Sequence, residues 1–269
     1  MTRMTTTNSK LHRRLRFRKA FLGASIDSVS PFMAEMAGKM GYDVVWADQE
    51  HGGATSREID LFCLGARAGG AFPLIRIQEL ERTHVLRALD AGARLVVAPM
   101  IETPEHARFM VECGKFPPLG KRGFSGNTPG RFYGIGDKLK TMRWSDRETH
   151  LFPMIETPRG VERIKEIMAV DGITGGVVGP SDLSIALGKP LMFDDREVLD
   201  FFSRAIRGIR AVGKIAACIA GHPALLKAAF MSNCQIIICA GECSGVRFEF
   251  QQTLKNISLK IHRLEVKHG

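Results

Sequence analysis

Eight short runs, apolar or β-branched almost throughout, recur along this chain of 269 residues, and their alternation with amphipathic stretches constrains the fold more than any other feature. The runs are FLGASI (21–26), DVVWAD (43–48), FPLIRI (72–77), RLVVAPMI (94–101), HLFPMI (150–155), GITGGVVG (172–179), KIAACIA (214–220) and CQIIICAG (234–241). Between them lie stretches such as SPFMAEMAGKMG and PRGVERIKEIMAV, several of which open at Ser, Thr or Pro and close at Gly, as helix starts and stops do. A strand with no polar face has to be covered on both sides, which a parallel sheet wrapped by helices achieves. Eight strand–helix units predict an α/β chain closed into a (β/α)8 TIM barrel over residues 21–245. An open doubly wound sheet would place a glycine-rich phosphate loop after its first strand, and GASIDSVS is not one.

No apolar run reaches the ~18 residues of a membrane span, so no membrane association is expected. The six cysteines (Cys63, Cys113, Cys218, Cys234, Cys239 and Cys243) contain no C-x-x-C pair and read as buried thiols of a reducing, cytoplasmic compartment. The last three crowd one stretch, but no histidine or matching cysteine pair completes a metal set there. The net charge is +10, yet seven basic residues and no acid fall within residues 1–20; the rest holds 31 basic against 28 acidic residues. The body is nearly balanced, so nucleic acid is not expected as a partner. Residues 1–20 share the composition of an organellar presequence and of a polyanion-binding arm, and the expectation adopted is a solvated basic lead-in.

In a barrel of this kind chemistry gathers at the C-terminal strand ends. The sequence places Asp48, Gln49, Glu50 and His51 after the second strand and Arg76 on the third. Glu102, Glu156, Asp182 and Glu242 follow the fourth, fifth, sixth and eighth. Charges crowded into a barrel mouth are costly unless paired or metal-bound. This many acids with one arginine and one histidine is a cation-site pattern. The word PMIETP occurs twice, at 99–104 and 153–158; in each copy Thr suits the N-cap and Pro the first turn of the following helix. The longest connection, 116–149, is rich in Gly, Arg and aromatic residues and fits either a functional loop or a subunit contact.

Several of these segments together resemble one family. ADQEHGG (47–53), PLIRI (73–77), LDAGA (89–93), PMIETPEHA (99–107), FPPLGKRG (116–123), MIETPRGVERIKEI (154–167) and GVVGPSDLSIALG (176–188) are similar to the HpcH/HpaI class II pyruvate aldolases, across roughly residues 20–245. The resemblance implies reversible cleavage of a 4-hydroxy-2-oxo acid, or a 2-keto-3-deoxy sugar acid, to pyruvate and an aldehyde. It also implies a homo-oligomer, a hexamer in the family, in which the last helix (246–269) is exchanged between subunits. Such cleavage leaves an enolate, which enzymes hold with a lysine Schiff base or a metal ion. No lysine stands at the C-terminal end of a predicted strand, and Lys214 opens the seventh at the opposite rim.

By resemblance, Glu156 and Asp182 are the ligands of a divalent cation such as Mg2+, Mn2+ or Co2+. Gly179, Ser181 and Asp182 bind substrate, Arg76 holds the enolate oxygen, His51 is the base and Asp90 orients it. Asp48 and Glu50 support the site from behind, and Glu102 is a bystander. Three positions depart from the family's habits: Met154 replaces a glutamine, Ala217 a glycine and Glu242 an aspartate. Two alternatives are a CoA-thioester lyase of the citrate-lyase β type, against which His51 argues, and a non-catalytic binding protein on the same barrel.

Overall fold

The structure, a computed structural model, describes residues 9–17 and 20–268. The eight strands are β1 (Phe21–Ser25), β2 (Val44–Asp48), β3 (Phe72–Arg76), β4 (Leu95–Ala98), β5 (His150–Ile155), β6 (Gly175–Val178), β7 (Ile215–Ile219) and β8 (Ile236–Gly241). They pair in sequence order, all parallel, and β8 returns to β1 to close the barrel. Each of the eight apolar runs supplies one strand, and the expected (β/α)8 barrel is the fold.

Side-chain alternation explains why these runs carry no polar face. One set of strand residues, among them Val44, Trp46, Leu74, Val97, Phe152, Val177 and Ile236, fills the barrel interior. The set between them, including Val45, Ile75, Val96, Leu151, Val178 and Ile237, packs under the helices. Both faces are thus out of water, the arrangement a parallel barrel demands.

The helices are α1 (Lys10–Leu15), α2 (Pro31–Lys39), α3 (Ser56–Ala68), α4 (Arg82–Ala91), α5 (Pro104–Gly114), α6 (Lys138–Glu148), α7 (Pro158–Glu162), α8 (Ile164–Met168), α9 (Pro180–Ala186), α10 (Arg196–Ala211), α11 (Pro223–Met231) and α12 (Glu242–His268). Both PMIETP words open helices as expected: the Thr103 hydroxyl accepts from His106 N at the start of α5, and Thr157 from Gly160 N at the start of α7.

The lead-in differs from the solvated segment expected for it. Leu11 and Leu15, one turn apart on α1, are buried and join the interior cluster at the N-terminal end of the barrel. Burying a leucine contributes about 2 kcal/mol, enough to hold a six-residue helix that could not persist alone. Lys10 N donates to the Glu148 carboxylate at 3.0 Å, and Arg14 pairs with Asp43 at 2.9 Å. The charges are thereby arranged around an apolar stopper, which composition alone does not reveal. Of the basic residues counted in this segment, Arg3, Arg18 and Lys19 lie outside the described residues.

At the other terminus α12 starts at Glu242, immediately after β8, four residues earlier than the expected 246. Val246, Phe248, Phe250, Leu254, Ile257 and Ile261 on it are exposed. In a (β/α)8 barrel the helix after β8 would lie between those after β7 and β1. Here Phe32 on α2, Met40 just after it, and Phe230 and Met231 on α11 are exposed instead. Among the described residues, no helix is long and apolar enough to cross a membrane.

Candidate active site

Asp48 and Arg76 close β2 and β3 and are paired across the sheet register, so their side chains leave adjacent strands at one level of the C-terminal rim. Arg76 Nε donates to Asp48 Oδ1 at 2.8 Å and Nη2 to Oδ2, a two-pronged grip. Its Nη1 lies 2.7 Å from Glu50 Oε2. That oxygen has no hydrogen-bond partner among the described residues, so the contact is an ion pair whose oxygen sits off the N–H directions. Burial opposes the guanidinium's charge, but the Asp48 hydrogen bonds and the Asp48 and Glu50 charges outweigh it and raise its pKa above the ordinary value. The indole of Trp46 lies beneath, its ring centre 5.8 Å from the guanidinium carbon. Arg76 is therefore a fixed positive charge in the floor of the mouth.

Glu156 follows β5 and is only 2 % exposed. Its Oε1 accepts the Met100 N–H at 2.7 Å, while Oε2 has no hydrogen-bond partner among the described residues. Burial pushes its carboxyl up to about 7; the Met100 N–H pulls against this, the Glu50 and Asp182 charges add to it, and Arg76 offsets part of it. Burial is also the main cause that raises the Glu50 carboxyl, with Asp48 and Asp182 contributing and Arg76 and His51 opposing. Asp182, in the first turn of α9, is thus within electrostatic reach of both glutamates. Gly179, just before α9, faces Glu156 closely: a Cβ built there would lie 2.6 Å from Oε2. Hydrogen at this position keeps the free oxygen clear.

Four carboxylates (Asp48, Glu50, Glu156 and Asp182) against one buried arginine leave the mouth short of positive charge. An unpartnered carboxylate oxygen this deeply buried is expensive. The unpartnered Oε2 of Glu156, with the Asp182 charge acting on it, is an oxygen donor set of the kind that suits a hard divalent cation.

The remaining expected site residues divide. His51 stands at the rim with its side chain 65 % exposed, its Nε2 4.0 Å from Glu50 Oε2. Asp90 does not reach it within the chain. Asp90 lies near the end of α4 in the helix layer, between Arg122 at 3.3 Å and Arg131 at 3.5 Å, both fully buried. The expected His51–Asp90 pair is therefore not formed inside one chain, because two arginines of the long connection hold that carboxylate. Arg131 also stacks on the rings of Phe116 and Phe124, so this part of 116–149 is anchored by cations and aromatics.

Ser181 is exposed at the opening of α9. Glu102 is turned to the helix layer, where it accepts from the Thr157 hydroxyl at 2.7 Å and faces Arg159 at 3.5 Å. Met154 is buried beneath the mouth, its Sδ 3.9 Å from Arg76 Nη1. Ala217 packs inside the barrel, and Glu242 accepts from Ser28 N and its hydroxyl at 2.9 and 2.8 Å, tying α12 to the connection after β1. Sequence reading did not anticipate Met100: its contribution is a main-chain N–H, which no side-chain pattern announces.

The sequence model of the family described as HpcH/HpaI aldolase/citrate lyase matches residues 23–229. A 2-keto-3-deoxy-L-rhamnonate aldolase of Klebsiella pneumoniae is 34% identical over 204 residues, covering 76% of each chain. The aldolase of the same name from Escherichia coli K12 is 31% identical over 219 residues, covering 78% of each. Among solved structures, an HpcH/HpaI aldolase from Desulfitobacterium hafniense superimposes with a TM-score of 0.85 at 26% identity, covering 92% of this chain and 96% of that one.

Proposed function

Starting from the chain's membership of the HpcH/HpaI aldolase/citrate lyase family, and hence from a carbon–carbon lyase, we propose that it cleaves a 4-hydroxy-2-oxo acid reversibly to pyruvate and an aldehyde, with a divalent cation held by Glu156 and Asp182. The relatives that act on a 2-keto-3-deoxy sugar acid favour that subclass of substrate. The observation that carries the reading is the buried, unpartnered Oε2 of Glu156 among further acids and one clamped arginine.

A divalent cation, Mg2+, Mn2+ or Co2+, supplies Lewis-acid stabilisation of negative charge on the keto acid. The protein's own groups perform the rest. Arg76, immobilised by Asp48 and Glu50, offers its remaining N–H groups to the 2-oxo oxygen as it gains charge, without reorganising. The main-chain N–H groups of Ser181 and Asp182, after Gly179, receive the substrate carboxylate. His51, open at the rim, accepts the C4-hydroxyl proton. The O–H electron pair becomes the aldehyde C=O bond, the C3–C4 bond breaks and its pair passes into the C2–C3 enolate. Return of the proton to C3 gives pyruvate.

Assembly completes the proposal. The exposed apolar face of α12 and the exposed side chains of α2 and α11 suit a homo-oligomer, a hexamer, in which each chain's last helix covers a neighbour.

The test is pyruvate release from short and long 4-hydroxy-2-oxo acids, with and without chelator. Cleavage of the free keto acid that stops on chelation is the expected result; turnover only with a CoA thioester would move the chain to the citrate-lyase side of its family. His51→Ala should slow cleavage by about 10²–10⁴-fold while sparing metal affinity. Unchanged turnover in that variant would remove His51 as the base.

A further inference from the structure

The two PMIETP words place one unusual main-chain group beside the candidate ligand. Met100, in the first copy, has φ +54°, in the left-handed region that non-glycine residues avoid. Met154, the same letter in the second copy, lies within regular β5. Side-chain packing does not explain the conformation of Met100, whose side chain is half exposed. What the turn does accomplish is visible in the hydrogen bonds on either side. Met100 N donates to Glu156 Oε1 at 2.7 Å, and Ile101 N donates to Met154 O at 3.1 Å. Backbone strain at a site persists only where the surroundings impose it, and here it aims an N–H at a buried carboxylate.

We infer that Met100 is a positioning residue: its left-handed main chain pins one oxygen of Glu156, so that the carboxylate presents the other, Oε2, singly to the cation. The inference rests on the metal reading proposed above and adds to it a role for the first copy of the repeated word. A hydrogen bond from an amide to a carboxylate is charge-assisted, and in a buried setting it fixes orientation as well as energy. Gly179 supplies the complementary half of the arrangement. It leaves room on the Oε2 side, where a Cβ would intrude, while Met100 occupies the Oε1 side. Glu156 is thereby limited to one ligand atom, and coordination positions remain for the oxygens of a keto acid.

The experiment measures Mn2+ binding by the full chain through the loss of the free-ion paramagnetic resonance signal, with no substrate present. Replacing residue 100 by the α-hydroxy analogue of methionine removes the N–H and keeps the side chain. Mn2+ affinity should fall about tenfold, and the spectrum of bound Co2+ should change as the second carboxylate oxygen becomes available. Met100→Val keeps the N–H but disfavours the left-handed turn, and should weaken Mn2+ in the same direction. Met100→Gly, which adopts that turn freely, is the rescue and should bind Mn2+ at least as tightly as the parent chain. Melting curves of the metal-free variants establish that each is folded. If the parent binds Mn2+ and the ester variant binds it within twofold, with an unaltered Co2+ spectrum, the positioning role is wrong and the metal reading survives. If the folded parent binds neither ion, the metal reading fails and this role fails with it.

Discussion

The two PMIETP copies are identical in sequence and different in every physical respect that matters to the site. In β5 the strand runs through Pro153, Met154 and Ile155, so Glu156 emerges at the rim in the same phase as the inward-facing Phe152 and Met154. In β4 the strand stops at Ala98, and Ala98 is register-paired with Pro153. The first word therefore begins one residue later relative to its neighbour. Side chains alternate with a period of two only while the chain stays extended, and the first word lies wholly beyond the last residue of β4. Leu95 and Val97 face inward, but beyond Ala98 the chain turns through the left-handed Met100, so Glu102 is placed by that turn and not by the phase of the strand. Glu102 ends among Thr157 and Arg159 of the helix layer, and Glu156 ends over Arg76. Duplicated letters here give shared helix caps and divergent chemistry.

The sharpest way to break this comparison is to neutralise each glutamate in turn. Glu156→Gln keeps the shape and removes the buried charge that a cation would need. Pyruvate release should fall by about 10³-fold or more, with loss of Mn2+ binding in the same titration. Glu102→Gln should change neither by more than about twofold, since its partners lie in the helix layer. Comparable losses in the two variants would show that both copies serve the chemistry and that their different placement is irrelevant.

A smaller effect separates the copies by pH. The Glu156 carboxyl titrates near 7 in the folded protein against an ordinary value of 4.5, chiefly because it is buried. A carboxyl raised on folding favours the fold while it is protonated. Its contribution is complete below the unfolded value and is lost as pH rises from about 4.5 through 7, amounting to at most roughly 3 kcal/mol. The melting temperature of the metal-free protein should carry a falling component between pH 5 and 8 that Glu156→Gln removes. Added Mn2+ should offset the loss at the upper end, where the carboxylate is free to bind it. A metal-free melting profile that is the same with Glu and with Gln at 156 would contradict the burial of this charge.

How much of this was legible beforehand follows from what each feature is made of. Strands β1 to β8 were readable because two buried faces leave an unbroken apolar run, as in IIIC of β8. The rim residues Asp48, Arg76, Glu156 and Asp182 followed from barrel geometry plus side-chain chemistry. The burial of α1 was not readable: Leu11 and Leu15 sit among Lys10, Arg13, Arg14 and Arg16, and only the open end of the barrel shows where they go. The pairing of Asp90 with two arginines was unreadable for a related reason. Its partners Arg122 and Arg131 are more than thirty residues away, in a connection without periodicity. The placement of the first PMIETP depended on where β4 ends, and element ends are set by tertiary pairing rather than by local letters.

A third contrast concerns the space beside the active copy. Glu156 Oε2 faces Gly179, and an alanine there would bring Cβ to 2.6 Å from that oxygen and equally close to Met154 Cε. Either the carboxylate or the methionine must shift. Gly179→Ala should weaken Mn2+ binding by about tenfold to a hundredfold, a loss of one or two factors of ten in a site whose ligand atoms need placing within about half an ångström. Wild-type affinity in this variant would mean that the free oxygen is not the one a cation uses.

The smallest expected effect lies in the caps, which the two copies share. Thr103 and Thr157 both accept an N–H in the first turn of their helices, so Thr→Val at either should cost about 1 kcal/mol of stability. They differ in what else the hydroxyl does. Thr157 also donates to Glu102 at 2.7 Å in a partly buried position, whereas Thr103 has the exposed Glu105 as its additional partner. A hydrogen bond to a carboxylate is worth more where water competes less. Thr157→Val should therefore exceed Thr103→Val by roughly 0.5–1 kcal/mol in denaturant melts. In the Glu102→Gln background that excess should shrink, since the charge that made the bond strong is gone. The double-mutant cycle between Thr157 and Glu102 reads the coupling directly. A coupling near zero would leave Glu102 to join α5 and α7 through Arg159 alone, beside the cap and the turn at Met100 that the first copy also supplies.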